Sequence, residues 1–332
     1  MKNSNGNAQF DIVRADPTKA HPLLQGWIQR DLAVELFKKA GLDFEAEKKK
    51  AQTADFHPVA LTGESFSADY AVDSSRIVSH NVLARVVGSK RPDETIFYSG
   101  NWDHLGIGAP DEKGDTIYNG AVDNGTGVAA ILELGRVFAA GPRPERTVVF
   151  MALTAEEKGL LGSTYYVAHP LYPLSKTVAV FNIDALNTDG LARDITTSGN
   201  GKVSLQDDIA AAAQAEGRHF TPDPNPEAGH FFRSDHFPFA KAGVPAISIG
   251  SGDDLVKGGV AAGKAWGADY VAHHYHQPSD EWSASWDLSG QVADLNLIQR
   301  LGAKLANSDQ WPDWQEGSEF KAIRAISAAE RK

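Results

Sequence analysis

The sequence predicts an α/β fold with a largely parallel β-sheet, because short apolar segments alternate with helical segments of about 10–15 residues. The apolar segments that we predict to be strands are residues 81–87, 95–99, 148–153, 177–184 and 244–249. The segments with helical periodicity are residues 128–138, 160–168, 203–216 and 288–306. This alternation is typical of βαβ units, in which parallel strands end at the same edge of the sheet.

The N-terminal part of the chain has a different pattern. Residues 1–20 are polar and lack periodicity, which indicates a loose tail. Residues 22–55 are predicted to be helical, since apolar side chains recur there at helical spacing, namely Trp27, Ile28, Leu32, Leu36 and Phe37. Residues 56–78 have mixed polarity, and we expect one or two strands in them. We therefore divide the chain into an N-terminal helical segment, residues 1–60, and a main domain, residues 61–332.

Composition excludes several classes of function. The 332 residues carry 43 acids against 32 bases, a net charge of −11, which argues against binding to a nucleic-acid backbone. The chain has no cysteine, which excludes disulfides, thiolate metal sites and a cysteine nucleophile. No apolar run approaches the ~18 residues of a membrane span. The first ten residues, MKNSNGNAQF, lack an apolar core, so we predict no signal peptide.

Acidic and imidazole side chains collect where the predicted strands end. They are Asp103 with His104, Asp123 just before a helix, Glu156 with Glu157, Asp184, and the run HHYH at residues 273–276. Ligands of open α/β sheets bind outside the carboxyl ends of the strands. Carboxylates and imidazoles without thiolates suit Zn, with Mn or Co as alternatives. One carboxylate can also bridge two ions about 3.5–4 Å apart and so help to activate water.

Each of these residues also has a simpler explanation when it is taken alone. Glu156 and Glu157 could be first-turn acids favoured by the helix dipole. Asp123 could be a helix N-cap, Asp184 a turn acid, and the histidine run a surface tract. Their joint occurrence at successive strand ends favours a metal site. Other catalytic devices lack support, because the chain has no G-x-S-x-G elbow and no Walker loop, and the GTGVAA string at residues 125–130 does not follow a buried strand.

Five stretches of the chain resemble family M28 metallopeptidases, the zinc aminopeptidase group that also contains the glutaminyl cyclases. They read NGAVDNGTGVAAILELGR, VVFMALTAEEKGLLGSTYY, FNIDALNTDG, FRSDHFPFAKAGVPAISIG and YHQPSDEW, within residues ~80–305. The resemblance implies an α/β sandwich with a mixed, mainly parallel β-sheet flanked by helices on both faces. It also implies a peptide substrate and one or two zinc ions, with no nucleic-acid or membrane partner. It does not predict the number of subunits. Because such relatives are mostly exported, we expect a periplasmic or secreted protein and leave a cytoplasmic one open.

The resemblance also implies a role for individual residues. Asp123 would bridge two ions, Glu157 and His276 would hold one of them, and Asp184 the other. Glu156 would be the general base that takes a proton from the attacking water. Adjacent residues on an extended chain point in opposite directions, which would let Glu157 face a metal while Glu156 faces the water. Asp103 would orient the first ligand.

One position departs from the family pattern. Relatives carry H-x-D in the first motif, often inside AHWDH, whereas this chain has Asn101 in place of the histidine. An amide oxygen is a weaker zinc ligand than imidazole. His104 is not an expected substitute, because relatives with AHWDH carry a histidine there as well. Asn101 therefore puts the first metal position in doubt.

The stretch FRSDH resembles the loop on the substrate side of the family's site. We expect Asp235, His236, Phe232 and Tyr275 to border the substrate pocket, with Phe232 at a position where some relatives carry Tyr. Alternatively, Asp235 simply caps a helix that begins at His236. Residues 22–55 resemble the segment that follows a protease-associated domain in larger relatives, so the segment 1–60 is interpreted as a remnant of such a lid.

Three functional hypotheses follow. The leading one is a metal-dependent aminopeptidase that hydrolyses N-terminal residues from peptides with Glu156 as general base. The second is a glutaminyl cyclase-like transferase with one zinc ion, which would convert Gln-initiated peptides without releasing a free amino acid. The third is an impaired, peptide-binding homologue. The substitution Asn101→His would test the third, since a gain of activity over a silent parent would mean that the parent has lost its metal site.

Overall fold

The computed structural model describes residues 9–14, 16, 26, 28–69, 71, 73–200 and 202–331. These residues separate into two compact units, one within residues 1–78 and the other comprising residues 79–332 with the short segment Phe10–Ile12. Within the described part of the chain, no helix is both long and apolar enough to cross a membrane. Trp27 and most of the predicted N-terminal tail lie outside the described residues.

The N-terminal unit contains two short helices inside the segment that the sequence predicts to be helical. Helix α1 spans Arg30–Lys39 and helix α2 spans Phe44–Lys50. Asp43 caps α2, because its carboxylate accepts a hydrogen bond from the Ala46 amide at 2.7 Å. The prediction of strands in residues 56–78 is wrong for the residues described there, which form turns and irregular chain. Most of their side chains are exposed, so no alternating apolar face is available to stabilise a strand.

The described residues of the second unit form nine strands. They are β1 Val82–Val86, β2 Arg91–Asn101, β3 Gly106–Ile107, β4 Ile117–Tyr118, β5 Arg146–Leu153, β6 Thr177–Ile183, β7 Asp194–Thr197, β8 His219–Phe220 and β9 Ala246–Ser251. Seven of them build one sheet in the order β1-β5-β2-β6-β9-β7-β8. The four central strands β5, β2, β6 and β9 are parallel, whereas β1 and β7 run antiparallel to their neighbours β5 and β9. The expected mixed, mainly parallel sheet is confirmed.

The described part of the second unit also contains seven α-helices, of which the last three follow β9. They are α3 Thr126–Ala140, α4 Leu161–Ala168, α5 Ser204–Ala215, α6 His236–Lys241, α7 Gly259–His273, α8 Ser289–Ala306 and α9 Lys321–Ile326. The helices predicted from periodicity correspond to α3, α4, α5 and α8. Helix α7 and strand β7 occur where the sequence analysis assigned no element.

The two faces of the sheet are buried by different helices. Along β2, Ile96 and Tyr98 belong to one apolar cluster, which also contains side chains of α3, α5 and α8. Phe97, between them, belongs to the other cluster, which includes Tyr166 of α4 and Phe239 of α6. This alternation follows from the two-residue period of a strand. The helices on both faces expected for the fold are therefore present.

The parallel strands deliver their C-terminal loops to one edge of the sheet. Strand β2 ends at Asn101, which pairs with Leu153, the last residue of β5. Strand β6 ends at Ile183, next to β2 and β9. Asp103 and His104, Glu156 and Glu157, and Asp184 follow these three strands, whereas Asp123 precedes α3 and His276 follows α7.

Candidate metal centre

Two carboxylates and two imidazoles converge at this edge of the sheet. His104, Asp123 and Glu157 each offer a ligand atom, and these atoms lie within 4.8 Å of one another. His104 Nδ1 is 2.8 Å from Glu157 Oε1. His276 Nε2 is 3.1 Å from Glu157 Oε2 and 3.3 Å from Asp123 Oδ2. The structure thus brings together three of the ligands expected from the sequence, Asp123, Glu157 and His276, and adds His104, which was not among them.

The loop that carries Asp123 is stabilised by hydrogen bonds from its backbone amides to the Asp280 carboxylate. The backbone amides of Val122 and Asp123 donate to the Asp280 carboxylate at 2.9 and 3.1 Å, and the Tyr270 hydroxyl donates to it at 3.0 Å. Asp280 is buried. Sequence reasoning did not assign it a role, although it lies in the YHQPSDEW stretch. Its three hydrogen bonds fix the backbone from which the Asp123 side chain extends.

The loop after β5 is held by Asp103. The Asp103 carboxylate accepts hydrogen bonds from the Ala155 amide at 2.8 Å and from the Thr154 hydroxyl at 2.7 Å. Ala155 is in the left-handed region with φ 54°, and Glu156–Lys158 then form one turn of 3₁₀-helix. In such a turn neighbouring side chains diverge by about 120°, so Glu156 and Glu157 separate without the extended geometry that we expected. Asp103 thus supports the loop that carries Glu156 and Glu157. Its role in orienting the first ligand, Asn101, stays a prediction.

Glu156 and Glu157 have opposite electrostatic surroundings. Burial and the nearby charge of Asp184 raise the pKa of Glu156 well above its usual range. Burial acts in the same direction on Glu157, but the adjacent His104 and His276 outweigh it and hold the pKa of Glu157 at about 2. The pKa of His276 is raised to about 9, because its contacts with Asp123 and Glu157 overcome the effect of burial. One member of the pair is thus suited to hold a proton and the other to stay ionised.

Asp184 follows β6 and belongs to the same cluster of acids. Burial and the charge of Asp123 raise the pKa of Asp184 to about 8, against the effect of the Ser234 hydroxyl, which donates to its carboxylate at 2.6 Å. The Ser163 hydroxyl donates to Asp235 at 2.6 Å, and burial raises the pKa of Asp235 to about 7. Among the described residues, no ion pair joins any of these acids to Lys or Arg.

Asn101 lies at the end of β2 and is buried, with 2% of its surface exposed. Its side-chain oxygen accepts a hydrogen bond from Asn124 Nδ2 at 2.7 Å, and its Nδ2 donates to the Asp103 carbonyl at 3.3 Å. The amide is therefore part of a hydrogen-bonded network below the metal cluster. Its role as a ligand, inferred from its place in the motif, stays a prediction.

The four residues expected at the substrate pocket have different surroundings. Asp235 and His236 are buried, and the Asp235 side chain does not cap helix α6. Phe232 is 44% exposed. The Tyr275 ring stacks on His276, with ring centroids 3.8 Å apart. Phe232 and Tyr275 are therefore better placed than the other two for direct contact with a substrate, and the role of all four stays a prediction.

Backbone strain accompanies the site. The described non-glycine residues with positive φ are Ala155, Leu160, Ala185 and His276. Ala155 precedes Glu156, Ala185 follows Asp184, and His276 itself contacts Asp123 and Glu157. A left-handed conformation costs an L-residue roughly 1–2 kcal/mol. Such conformations persist only where the surrounding structure enforces them, which is typical of functional sites.

The cluster fits a zinc ion. Buried side-chain atoms without a hydrogen bond of acceptable geometry include both ring nitrogens of His104, Glu157 Oε1 and His276 Nε2. Buried polar atoms usually have partners, so four such atoms close together indicate a binding site for a cation. Imidazole nitrogens together with carboxylate oxygens form a donor set that zinc prefers.

The sequence profile described as "Peptidase family M28" matches residues 81–298. The chain belongs to this family. Relatives of this chain include zinc metalloproteases, and the mixed, mainly parallel sheet expected from the sequence resemblance agrees with membership of the family. The matched range includes the carboxylates and histidines described above, from Asn101 to His276.

Two curated relatives illustrate the M28 similarity. The chain is 31% identical over 234 residues to "Leupeptin-inactivating enzyme 1" of Streptomyces exfoliatus, covering 69% of this chain and 46% of the relative. It is 35% identical over 132 residues to a "Probable zinc metalloprotease" of Pyrenophora teres f. teres, covering 39% of this chain and 28% of the relative. The chain thus spans less than half the length of each.

Solved structures with the same fold include the LapA aminopeptidase of Legionella pneumophila, with a TM-score of 0.51, 19% identity, and coverage of 69% of this chain and 55% of LapA. The zinc aminopeptidase BSAP of Bacillus subtilis gives a TM-score of 0.50 and 22% identity, covering 73% of this chain and 52% of BSAP. At these identities the likeness establishes the fold of the M28 domain.

Proposed function

We propose that this M28 chain is a zinc-dependent aminopeptidase that removes single residues from the N-termini of peptides. The observation that carries the proposal is the division between Glu156 and Glu157 at the carboxyl edge of the sheet. Glu157 contacts His104 and His276, which outweigh its burial and hold its pKa at about 2, whereas burial and the nearby charge of Asp184 raise the pKa of Glu156. Hydrolysis by a metallopeptidase requires this pair of roles, one carboxylate for the metal and one for protons.

Zinc would be held by residues of the cluster, with Asp123, Glu157 and His276 as the core of the set and Asp184 beside it. When bound, zinc supplies a Lewis acid that polarises the scissile carbonyl and makes water acidic enough to be deprotonated near neutral pH. Manganese or cobalt could serve with the same ligands, since both accept mixed nitrogen and oxygen donors.

Glu156 would move the protons. It accepts one from the attacking water and later delivers it to the amine that leaves when the peptide bond breaks. A general base works best when its pKa lies near the working pH, and the burial of Glu156 shifts its pKa in that direction. The Glu156 carboxylate is near enough to Asp184 and Asp123 for their charges to raise its pKa, which supports a place beside the proposed zinc ligands.

The surplus of acids supports an exopeptidase. The charges of Asp184 and Asp235 raise the pKa of Glu156. Among the described residues, neither acid forms an ion pair with Lys or Arg. The ammonium group of a free peptide N-terminus would supply a positive charge to such a cluster. An endopeptidase substrate has no charged group next to the scissile bond and would leave these acids uncompensated.

The test compares one short peptide in two forms, with a free and with an acetylated N-terminus, at equal concentrations of zinc-loaded protein. We expect the free peptide to lose its first residue and the acetylated peptide to stay intact, as followed by liquid chromatography and mass spectrometry. Cleavage of both forms at an internal bond would contradict the proposal. A Gln-initiated peptide distinguishes the cyclase alternative, because cyclisation lowers the mass by the loss of ammonia and releases no amino acid.

A further inference from the structure

Both polar atoms of the Asn101 side-chain amide already have a hydrogen-bond partner. Its oxygen, the atom that could bind a metal, accepts the hydrogen bond from Asn124 Nδ2. Asn124 cannot turn away easily, because its Nδ2 also donates to the Ile183 carbonyl at 2.9 Å and its oxygen accepts from the Gly127 amide at 2.9 Å. A Cβ on Gly127 would lie 2.3 Å from that oxygen, so the helix start is shaped around Asn124. Moving Asn101 toward a metal would leave buried amide groups unpaired, which is costly.

His104, three residues further along, is the imidazole that does reach the cluster. Its side chain is 4% exposed, and its Nδ1 lies 2.8 Å from Glu157 Oε1. The approach lacks the direction of a hydrogen bond, and among the described residues neither ring nitrogen has a hydrogen-bond partner. The His104 and His276 rings lie edge to face, with centroids 5.4 Å apart. Both imidazoles therefore border the same carboxylate, that of Glu157.

The chain leaves room for this histidine. Gly120 has φ 65°, and a Cβ on it would lie 2.6 Å from His104 Cγ and 2.3 Å from the Asp123 carbonyl oxygen. Any other residue at position 120 would push the His104 ring away or distort the loop of Asp123. The absence of a side chain at Gly120 thus allows the ring and the loop to pack directly against each other.

We propose that His104 replaces the missing histidine of the first motif as a zinc ligand. By its place in the motif, Asn101 would bind the ion beside Asp184. His104 would instead bind the other ion, together with Asp123, Glu157 and His276. This inference rests on the zinc chemistry of the proposed function. Its consequence is a site with two imidazoles on one ion and none beside Asp184, so that the chain binds one zinc tightly instead of two.

The distances agree with a shared ion. Zinc binds nitrogen and oxygen ligands at about 2.0–2.2 Å in tetrahedral sites, which places neighbouring ligand atoms roughly 3.3–3.6 Å apart. Two of the closest contacts in the cluster, 2.8 and 3.1 Å, are shorter than this spacing and the third, 3.3 Å, lies at its lower limit, so these groups lie close enough together to surround one small cation. Because carboxylates repel one another when no cation separates them, the ion would also offset the charges of Asp123 and Glu157.

The experiment measures zinc binding directly, without turnover. Wild-type protein, His104→Ala, His104→Gln and Asn101→Ala are stripped of metal, and zinc is titrated in competition with a chromogenic chelator. We expect one tight equivalent for wild type and for Asn101→Ala, and a loss of affinity of at least about 100-fold for both His104 variants, since even outer partners of a ligand contribute 10–100-fold. His219→Ala, which removes an exposed histidine on β8, is the matched control and should bind like wild type.

Thermal unfolding of the metal-free proteins shows whether each variant is folded before titration. Unchanged affinity in folded His104 variants would overturn the inference, and so would two tight equivalents in wild type. The proposed function is tested separately. If the His104 variants lose zinc affinity but the wild-type protein cleaves no peptide, only the proposal of aminopeptidase activity is contradicted. A chain that releases N-terminal residues while the His104 variants keep their zinc affinity contradicts only the ligand assignment.

Discussion

Glu156 and Glu157 are adjacent in the chain, yet burial beside Asp184 raises the pKa of Glu156 while the two histidines beside Glu157 lower its pKa to about 2. The separation arises from one turn of 3₁₀-helix that begins after the left-handed Ala155. Asp103 holds the start of this turn through the Ala155 amide. The local backbone therefore gives two identical side chains opposite pKa shifts, as the proposed division into a proton carrier and a metal ligand requires.

Glu156→Gln and Glu157→Gln should consequently fail in different ways. We expect Glu156→Gln to keep its zinc and to lose roughly 10²–10⁴-fold in kcat, because a neutral amide cannot accept the proton of the attacking water. Glu157→Gln should lose zinc affinity, and its activity should recover in part when zinc is in excess. The measurement is zinc content by elemental mass spectrometry and release of N-terminal residues on the same preparations.

Each variant controls for the other, since both change one carboxylate to an amide in the same turn. If Glu156→Gln lost its zinc to the same extent as Glu157→Gln, the assignment of Glu156 to proton transfer would be wrong. Equal loss of kcat in both, with zinc retained in both, would likewise contradict the division of roles.

The sequence was sufficient to predict that these acids meet. Glu157 and Asp184 follow different strands of a βαβ pattern, and parallel strands bring their C-terminal ends to one edge whatever the details of packing. The two-residue period of the strand likewise predicts that Ile96 and Tyr98 lie on one face of the sheet and Phe97 on the other. These features depend on local periods that can be counted along the chain.

The place of His104 could not be predicted in this way. It lies beyond the end of β2, where the two-residue period no longer determines the direction of a side chain. Its ring packs where a side chain at Gly120, sixteen residues further along, would otherwise lie, while the Asn101 amide is held by its hydrogen bond from Asn124. These are tertiary contacts between loops, and a motif comparison instead favours the position of Asn101.

Asp280 provides a second prediction about the metal centre. Its carboxylate accepts hydrogen bonds from the backbone amides of Val122 and Asp123. An asparagine side chain at this position would direct its own N–H group toward at least one of these two donors. We expect Asp280→Asn to lower zinc affinity about 10–100-fold, as is typical for residues that orient metal ligands. The measurement is the same chelator competition in the folded, metal-stripped protein.

Glu281→Gln is the matched control, because it makes the same chemical change one residue later on an exposed side chain. Tyr270→Phe removes only the third hydrogen bond to Asp280 and should have a smaller effect than Asp280→Asn. Zinc affinity that is equal in Asp280→Asn and Glu281→Gln would show that the loop of Asp123 keeps its position without this support.

His236 should make the stability of the fold depend on pH. It is fully buried, its ring packs edge to face on Phe231 with centroids 4.8 Å apart, and burial lowers the pKa of His236 to about 3. In the unfolded chain a histidine has a pKa of about 6.5, so between these values the unfolded state binds a proton that the folded state does not. The contribution of neutral His236 is complete above about pH 6.5 and is lost as the pH falls toward 3, by at most about 1.4 kcal/mol per pH unit.

His236→Leu should remove this contribution, because leucine has a similar volume and does not titrate. Urea unfolding of wild type and variant at a series of pH values between 3 and 8 gives the two free energies of unfolding, and their difference isolates this residue from the carboxylates that also titrate. We expect the variant to lose less stability than wild type as the pH falls below about 6.5. His219→Gln, at an exposed histidine, should follow the wild-type curve. Parallel curves for wild type and His236→Leu over the whole range would mean that His236 does not resist protonation in the folded chain.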